Sequence, residues 1–344
     1  MKVLIVNNMA PFMWGGAEEL AAHLQKNLVI AGHEAEILRV PFQWDPPERI
    51  PSQMLMVRAF ELLNVDHVIA LKFPAYLIRH AKKTLWLLHQ YRQAYDMYDE
   101  GRSNLPLGIK GESLRELIRN ADNESISESR RVFTISEITR QRLLKYNGLE
   151  AKVLPPPIND PELFFPGTTG NYIFSGGRVN AMKRQDLLLE ALVHAGTNVR
   201  LVIAGPPDSP ADAEKLERIV SANDLADRVK LDLRFLPRQS YADYVNGSAA
   251  VACVPFNEDY GYVGVEAAAA GKAILTTSDS GGILNLVKHK ITGWVAEPTV
   301  ESLADAMNSV FESIRLTREY GLAAMDLLQS QGISWPNTVD ELLR

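Results

Sequence analysis

The sequence predicts an α/β protein of two open domains in tandem, each a parallel sheet with helices on both faces. Short apolar, β-branched runs alternate with amphipathic stretches from the first residues onward, the pattern of strand–helix–strand crossovers. The tract Pro155-Pro156-Pro157, followed to about Gly170 by a stretch rich in Pro, Gly and Thr, interrupts the alternation as an interdomain linker would. The alternation then restarts, and 344 residues are more than one hydrophobic core usually serves.

In chain order, Val3–Val6, Glu36–Val40, His67–Leu71, Thr84–Leu88 and Arg131–Ile135 read as strands. Ala17–Ala31, Gln53–Leu63 and Glu137–Tyr146 read as the helices between them. Beyond the linker, Asn171–Ser175, Val199–Ala204, Val229–Leu233, Ala249–Val254 and Ala273–Thr276 are expected strands. Arg184–Val193, Ala211–Ala222, Gln239–Val245, Gly261–Ala270 and Ser302–Leu328 are expected helices. The domain boundaries fall at 1–157 and 158–329. Ligands in such sheets bind at the carboxyl ends of the strands, near helix N-termini, and two such edges facing each other would make a cleft.

Composition excludes several classes. A net charge of −6 argues against nucleic acid as the main partner. The one cysteine, Cys253, lies in an apolar run and reads as a small buried hydrophobe, and no disulfide framework or cysteine-based zinc site is available. The apolar stretch at the N-terminus is too short for a signal peptide, and nothing approaches the roughly 20 apolar residues of a membrane span, so a cytoplasmic protein is expected. Residues 1–157 carry 20 Lys+Arg against 18 Asp+Glu, and residues 158–344 carry 16 against 24. Within the less acidic half, Arg79, His80, Lys82, Lys83, Arg92 and Arg102 form a local cluster. It reads as a solvated face or as contact with an anionic acceptor or a membrane surface. The stretch Tyr91–Pro106, with Tyr91, Arg92, Tyr95 and Asp96, reads as acceptor-facing or as a plain surface loop.

Four motifs sit where strands give way to helices. In Glu258-Asp259-Tyr260-Gly261-Tyr262-Val263-Gly264-Val265-Glu266, two glutamates enclose seven residues. The helix start near Gly261 offers unpaired amides and a positive dipole end to a phosphate or sugar hydroxyls. Eight helical residues span about 12 Å, more than the roughly 5–9.5 Å between the paired carboxylates of a glycosidase. Contacts to two parts of one long ligand therefore fit better than a catalytic pair, and two surface glutamates on an alanine-rich helix fit the spacing equally well. Gly176-Gly177-Arg178-Val179-Asn180-Ala181-Met182-Lys183-Arg184 brings a guanidinium and an ammonium to one turn, both suited to a diphosphate. Trp14-Gly15-Gly16-Ala17-Glu18 and Thr277-Ser278-Asp279-Ser280-Gly281-Gly282 are glycine-rich turns, weak in isolation. The chain lacks a P-loop, a Gly-x-Gly-x-x-Gly fingerprint, an Asp-x-Asp pair, His-Glu-x-x-His and Gly-x-Ser-x-Gly.

Taken in order along the chain, Gly15-Gly16-Ala17-Glu18, Gly177-Arg178 with Lys183, Glu258 to Glu266 and Ser280-Gly281-Gly282 resemble a family 4 glycosyltransferase of the GT-B fold. The resemblance implies two Rossmann-like, doubly wound domains facing a central cleft, with the segment from 330 to 344, around Ser334-Trp335, crossing back onto the N-terminal domain. It implies that Arg178 and Lys183 bind the donor diphosphate and that Glu258 meets the transferred sugar. Gly261, Tyr262 and Val263 would offer amides to sugar and phosphate, and Glu266 would bind the ribose hydroxyls. Gly15 and Gly16 would close over the phosphates, and His89 would sit near the donor sugar. The implied activity is a retaining, metal-independent hexosyl transfer by same-face attack, from a GDP- or UDP-sugar, GDP-mannose among them. The acceptor would be a glycan or lipid-linked molecule in cell-surface polysaccharide synthesis. The nucleotide-sugar is a substrate, no further cofactor is expected, and a peripheral contact at the inner face of the cell membrane is in keeping with the basic cluster. The alternatives are a catalytically silent binding subunit of the same fold, or an epimerase or phosphorylase. The chain departs from the pattern at Asn285 and at Pro237, where glutamate and glycine are common, and the latter leaves the base open.

Overall fold

The computed structural model describes all 344 residues. The chain divides into two compact units, Met1–Asn159 with Ile333–Arg344, and Asp160–Gly332.

In the first unit the elements run β1 (Lys2–Met9), α1 (Gly16–Ile30), β2 (Glu34–Pro41), α2 (Ile50–Arg58), β3 (His67–Ala70), β4 (Lys83–Leu87), α3 (Asp96–Asp99), α4 (Ile109–Ser127), β5 (Arg131–Thr134), α5 (Glu137–Asn147) and β6 (Lys152–Val153). All strand pairs are parallel, in the order β2-β1-β3-β4-β5-β6. β3 and β4 are buried along their whole length, as strands covered on both faces must be. The second unit continues with β7 (Ile173–Gly176), α6 (Gln185–His194), β8 (Leu201–Ala204), α7 (Pro210–Ala222), β9 (Val229–Asp232), α8 (Arg238–Asn246), β10 (Ala250–Ala252), α9 (Tyr262–Ala269), β11 (Ala273–Thr277), β12 (Gly293–Ala296), α10 (Val300–Glu312) and α11 (Ile314–Ser330). Its sheet is also parallel, in the order β12-β11-β10-β7-β8-β9. The last helix, α12 (Trp335–Leu343), belongs to the first unit. Trp335 sets its ring edge-on to Trp86 and stacks on His23, and the buried Thr84 hydroxyl donates to the Leu342 carbonyl at 3.0 Å. No helix is long and apolar enough to cross a membrane.

Several local expectations are corrected. The stretch expected as one helix over 302–328 is two, because Ser313 leaves the helical conformation and its hydroxyl accepts from the Leu316 amide to cap α11. α2 starts at Ile50 and stops at Arg58, well short of Leu63. The 19-residue α4 and the short strands β6 and β12 were not foreseen.

The basic cluster is not one solvated face. Lys83 is fully buried on β4, where its ammonium donates to the carbonyls of Tyr76, Ile78 and Ser125 and to the Ser125 hydroxyl. Burial pulls its pKa down to about 8. Arg92 spends its guanidinium on the buried Asp96 carboxylate. Tyr95, expected on a loop that is either acceptor-facing or plain surface, is also fully buried. Its hydroxyl donates to Asp122 at 2.7 Å and accepts from Asn147 Nδ2 at 3.2 Å, and the Asn147 Oδ1 accepts from Gln90 at 2.7 Å. This polar chain ties the segment after β4 to α4 and α5 inside the core.

Burial raises the Asp122 carboxyl to about pH 7, against the opposing hydrogen bond from Tyr95. A carboxyl whose folded pKa is raised stabilises the fold fully below its unfolded pKa of 3.8, and that contribution is lost as pH rises through about 7. Asp122→Asn is therefore expected to remove a fall in stability on the order of 2 kcal/mol between pH 5 and pH 7. Urea midpoints of both proteins across that range measure it, and an unchanged slope in the variant would contradict the assignment.

Candidate functional site

Parallel strands deliver their carboxyl ends to one edge of a sheet. In the second unit the chain runs from β7 outward to β8 and β9, then returns to β10 on the other flank of β7 and continues to β11 and β12. The turns after β7 and β10 therefore diverge, and the crevice between them is a topological switch point. Lys183 lies in the turn after β7, Glu258 in the turn after β10, and Lys183 Nζ donates to Glu258 Oε2 at 2.6 Å. Burial and the repulsion of nearby Arg178 lower the pKa of the Lys183 ammonium, but Glu258 outweighs them and the net shift is upward. Both side chains keep 27% of their surface exposed, so the pair is reachable from solvent.

Arg184, next to Lys183, is the anchor. Its backbone is left-handed (φ 53°), which separates the directions of the two adjacent side chains. Its guanidinium donates to the carbonyls of Val254 at 2.7 Å and Pro255 at 2.9 Å, to the Thr277 hydroxyl at 2.9 Å, and to both oxygens of Asp279 at 2.7 and 2.8 Å. Three strand-end turns are thereby fixed to one another. The fourth motif completes the frame. The Glu258 amide donates to the Ser280 carbonyl at 3.1 Å and the Gly282 amide to the Glu258 carbonyl at 2.7 Å, so the turn after β11 braces the turn that carries Glu258.

α9 begins at Tyr262, with Gly261 as its N-cap in the left-handed region (φ 85°). A Cβ at Gly261 would sit 3.1 Å from the Ile283 side chain, so strain and crowding both select glycine there. The amides of Tyr262 and Val263 belong to the first helical turn, which has no intrahelical acceptor to offer them. Glu266, one helical turn further on, is buried. Arg238 Nη1 lies 2.6 Å from its Oε1, and the Arg238 guanidinium covers the Phe164 ring at 4.9 Å. Cys253 is buried as expected, and burial pushes its thiol up to about 12.

The remaining expected residues lie in the first unit. Gly15 is the N-cap of α1, and its amide donates to Glu18 Oε2 at 3.1 Å, with Gly16 the first helical residue. His89 follows β4, and its Nδ1 donates to the Gln90 carbonyl at 2.8 Å, because a carbonyl can only accept. The second unit thus brings Arg178, Lys183, Glu258, Gly261, Tyr262, Val263 and Glu266 to one sheet edge. The sequence reading missed the partners that hold them: Arg184 and Asp279, which stand inside the motifs, and Asp208 and Arg238, which stand outside any recognisable spacing.

Residues 161–324 match the family model described as glycosyl transferases group 1. D-inositol 3-phosphate glycosyltransferase of Mycolicibacterium smegmatis is 28% identical over 244 residues, covering 64% of this chain and 54% of that protein. The chain spans about half the length of the curated relatives it matches. Among solved structures, sucrose-phosphate synthase from Thermosynechococcus elongatus superposes with a TM-score of 0.80 at 16% identity, covering 99% of this chain and 96% of that one. Anabaena Alr3699/HepE in complex with UDP-glucose superposes with a TM-score of 0.75 at 16% identity, over 99% and 98%. The fold is the two-domain GT-B arrangement, with one Rossmann-like sheet per unit.

Replacing Arg184 by Met should lower stability by about 3 kcal/mol, since it takes the cation from the part-buried Asp279 carboxylate and the donor from the carbonyls of two buried residues, Val254 and Pro255. Urea denaturation of the variant checks this, and a loss below about 1 kcal/mol would show that the three turns hold without the guanidinium.

Proposed function

We propose, from the match of residues 161–324 to the glycosyl transferases group 1 model, that this chain transfers a hexosyl group from a nucleoside diphosphate sugar to an acceptor hydroxyl, with retention of configuration. The observation that carries the reading is the Lys183–Glu258 pair at the β7/β10 switch point, with Arg178 on the same turn as Lys183. That is where an open α/β sheet receives ligands. In this reading Arg178 and Lys183 take the diphosphate, and the first amides of α9 add fixed positive dipoles. Together they stabilise the charge that grows on the leaving phosphate, without a metal ion. Glu258 accepts hydroxyls of the transferred sugar, and Glu266 accepts the ribose hydroxyls. Gly15, Gly16 and His89 enter the proposal only through the family resemblance.

The leaving phosphate accepts the acceptor's proton as the new glycosidic bond forms on the face the phosphate vacates. The Anabaena structure that shares the fold holds UDP-glucose, which supports a nucleotide-sugar donor, GDP- or UDP-linked. A glycan or lipid-linked acceptor, and work at the cytoplasmic face of a membrane in cell-surface polysaccharide synthesis, complete the proposal. The buried Lys83 withdraws part of the charge argument for that acceptor.

The test is a thermal-shift titration with GDP, UDP, ADP and dTDP beside the Arg178→Ala variant. A ligand at 100 times its dissociation constant adds about 2.7 kcal/mol of stability. One nucleotide should stabilise the wild type and not the variant, and stabilisation by none at millimolar concentration would favour a silent binding subunit instead. Lys183→Ala should lower turnover at least about tenfold with the fold intact, as loss of a group aimed at the developing charge does. Undiminished turnover in a folded Lys183→Ala protein would remove Lys183 from the mechanism.

A further inference from the structure

We infer that Asp208 positions both cations of the proposed diphosphate site, Arg178 directly and Lys183 through Asn180. The inference rests on the donor-site reading above and adds to it a residue from a strand-end turn that the motifs do not include.

Asp208 lies in the turn after β8, and backbone contacts fix it in place independently of its side-chain partners. The Val179 amide donates to the Pro206 carbonyl at 2.9 Å, and the Asp208 amide donates back to the Val179 carbonyl at 3.0 Å. Val179 and Pro207 pair as an isolated parallel bridge. The approach is closest at Gly205 (φ 141°), where a Cβ would stand 2.1 Å from the Gly177 carbonyl oxygen, so only glycine lets the two turns meet.

From that fixed point the carboxylate reaches two ways. Arg178 Nη1 donates to both of its oxygens, at 3.1 and 3.2 Å. Asn180 Nδ2 donates to Oδ2 at 2.8 Å, and the Asn180 Oδ1 in turn accepts from the amides of Met182 at 3.0 Å and Lys183 at 3.1 Å. One carboxylate therefore sets the guanidinium of Arg178 and, through one amide side chain, the backbone turn from which Lys183 projects.

The geometry suits positioning better than blocking. Arg178 meets Asp208 through Nη1 alone, so the Nε and Nη2 edge of its fork stays available to a planar or tetrahedral anion. The Arg178 side chain is 41% exposed, and without a tether it would sample many rotamers that binding would have to freeze. The competing role, a carboxylate that merely repels the incoming diphosphate, predicts the opposite sign when Asp208 is removed.

The experiment measures, by calorimetry, the dissociation constant of UDP or GDP, whichever the wild type binds. The proteins are wild type, Asp208→Ala, Asp208→Asn, Arg178→Ala and the Arg178→Ala/Asp208→Ala double variant, and the melting temperature of each is read without ligand. Asp208→Ala should weaken nucleoside diphosphate binding about tenfold, the scale of a lost charge-assisted contact. Asp208→Asn keeps an oxygen for Arg178 Nη1 and should lose less than about threefold, and it decides the matter if the alanine variant melts early. In the Arg178→Ala background the same alanine change should cost less than it does alone. Binding by Asp208→Ala as tight as wild type, or tighter, overturns the inference while leaving the donor site in place. So does an undiminished cost in the Arg178→Ala background. A wild type that binds no nucleoside diphosphate overturns the donor-site reading and this inference with it.

Discussion

Arg184 places its guanidinium among the strand ends of the second sheet, where two carbonyls, a hydroxyl and both oxygens of Asp279 accept from it. Turns at the end of a parallel sheet carry carbonyls that no neighbouring strand satisfies, and a partly buried cation needs a full set of acceptors. Each requirement meets the other here. The planar fork has a fixed shape, so satisfying it also fixes the separation of the turns after β7, β10 and β11. A lysine at 184 would supply charge without that template. The position of Glu258 relative to Lys183 follows from this frame, because the two residues hang from turns that Arg184 has already tied together.

Along the same edge every cation has an acid of its own. Arg178 pairs with Asp208, Lys183 with Glu258, Arg184 with Asp279 and Arg238 with Glu266. The second half of the chain is the acidic half, with 16 Lys+Arg against 24 Asp+Glu in residues 158–344, yet it holds the cations proposed for an anionic ligand. Net charge governs the long-range field and the rate of encounter, whereas affinity at contact depends on donors already aimed. A site of matched pairs sacrifices attraction at a distance and gains donors that need little reorganisation on binding.

Much of this was legible in the sequence, for physical reasons that also mark where legibility ended. Strands buried on both faces are written as apolar runs, and the ten expected strands are all present. β6 is only Lys152–Val153, β12 is a four-residue strand set directly among turn residues, and α4 is so rich in Glu, Arg, Asn and Ser that its apolar stripe is faint. Lys82 and Lys83 read as one basic patch because the sequence places them side by side. The structure exposes the first and buries the second at the start of β4. At the candidate site the motifs marked the turns, since glycines and charges at strand ends are rare enough to notice. Asp208 and Arg238 carried no such mark. Each is an ordinary charged residue in a turn or at a helix start, tens of residues from its partner, and only the folded chain brings the pairs together.

Each sheet has one switch point, after two strands in the first unit and after three in the second, and the comparison shows what topology decides and what it leaves to the residues. In the first unit the switch point lies between β1 and β3, and there too a lysine meets a glutamate, Lys72 Nζ to Glu18 Oε1 at 3.2 Å. Diverging turns leave an unfilled crevice at the sheet edge, and an ion pair fills it in both units. The carboxylates differ in commitment. Glu18 stands inside the first turn of α1, where its Oε2 closes a capping box with the Gly15 amide, and only 13% of its side chain is exposed. Glu258 precedes its helix, is held by backbone bonds to the turn after β11, and keeps about twice that fraction exposed. A carboxylate used to start a helix is spoken for. Glu258 gives its Oε2 to Lys183 yet stays the more exposed of the two carboxylates, so the β7/β10 switch is the one open to the proposed donor, while the β1/β3 pair lies closed against its helix start.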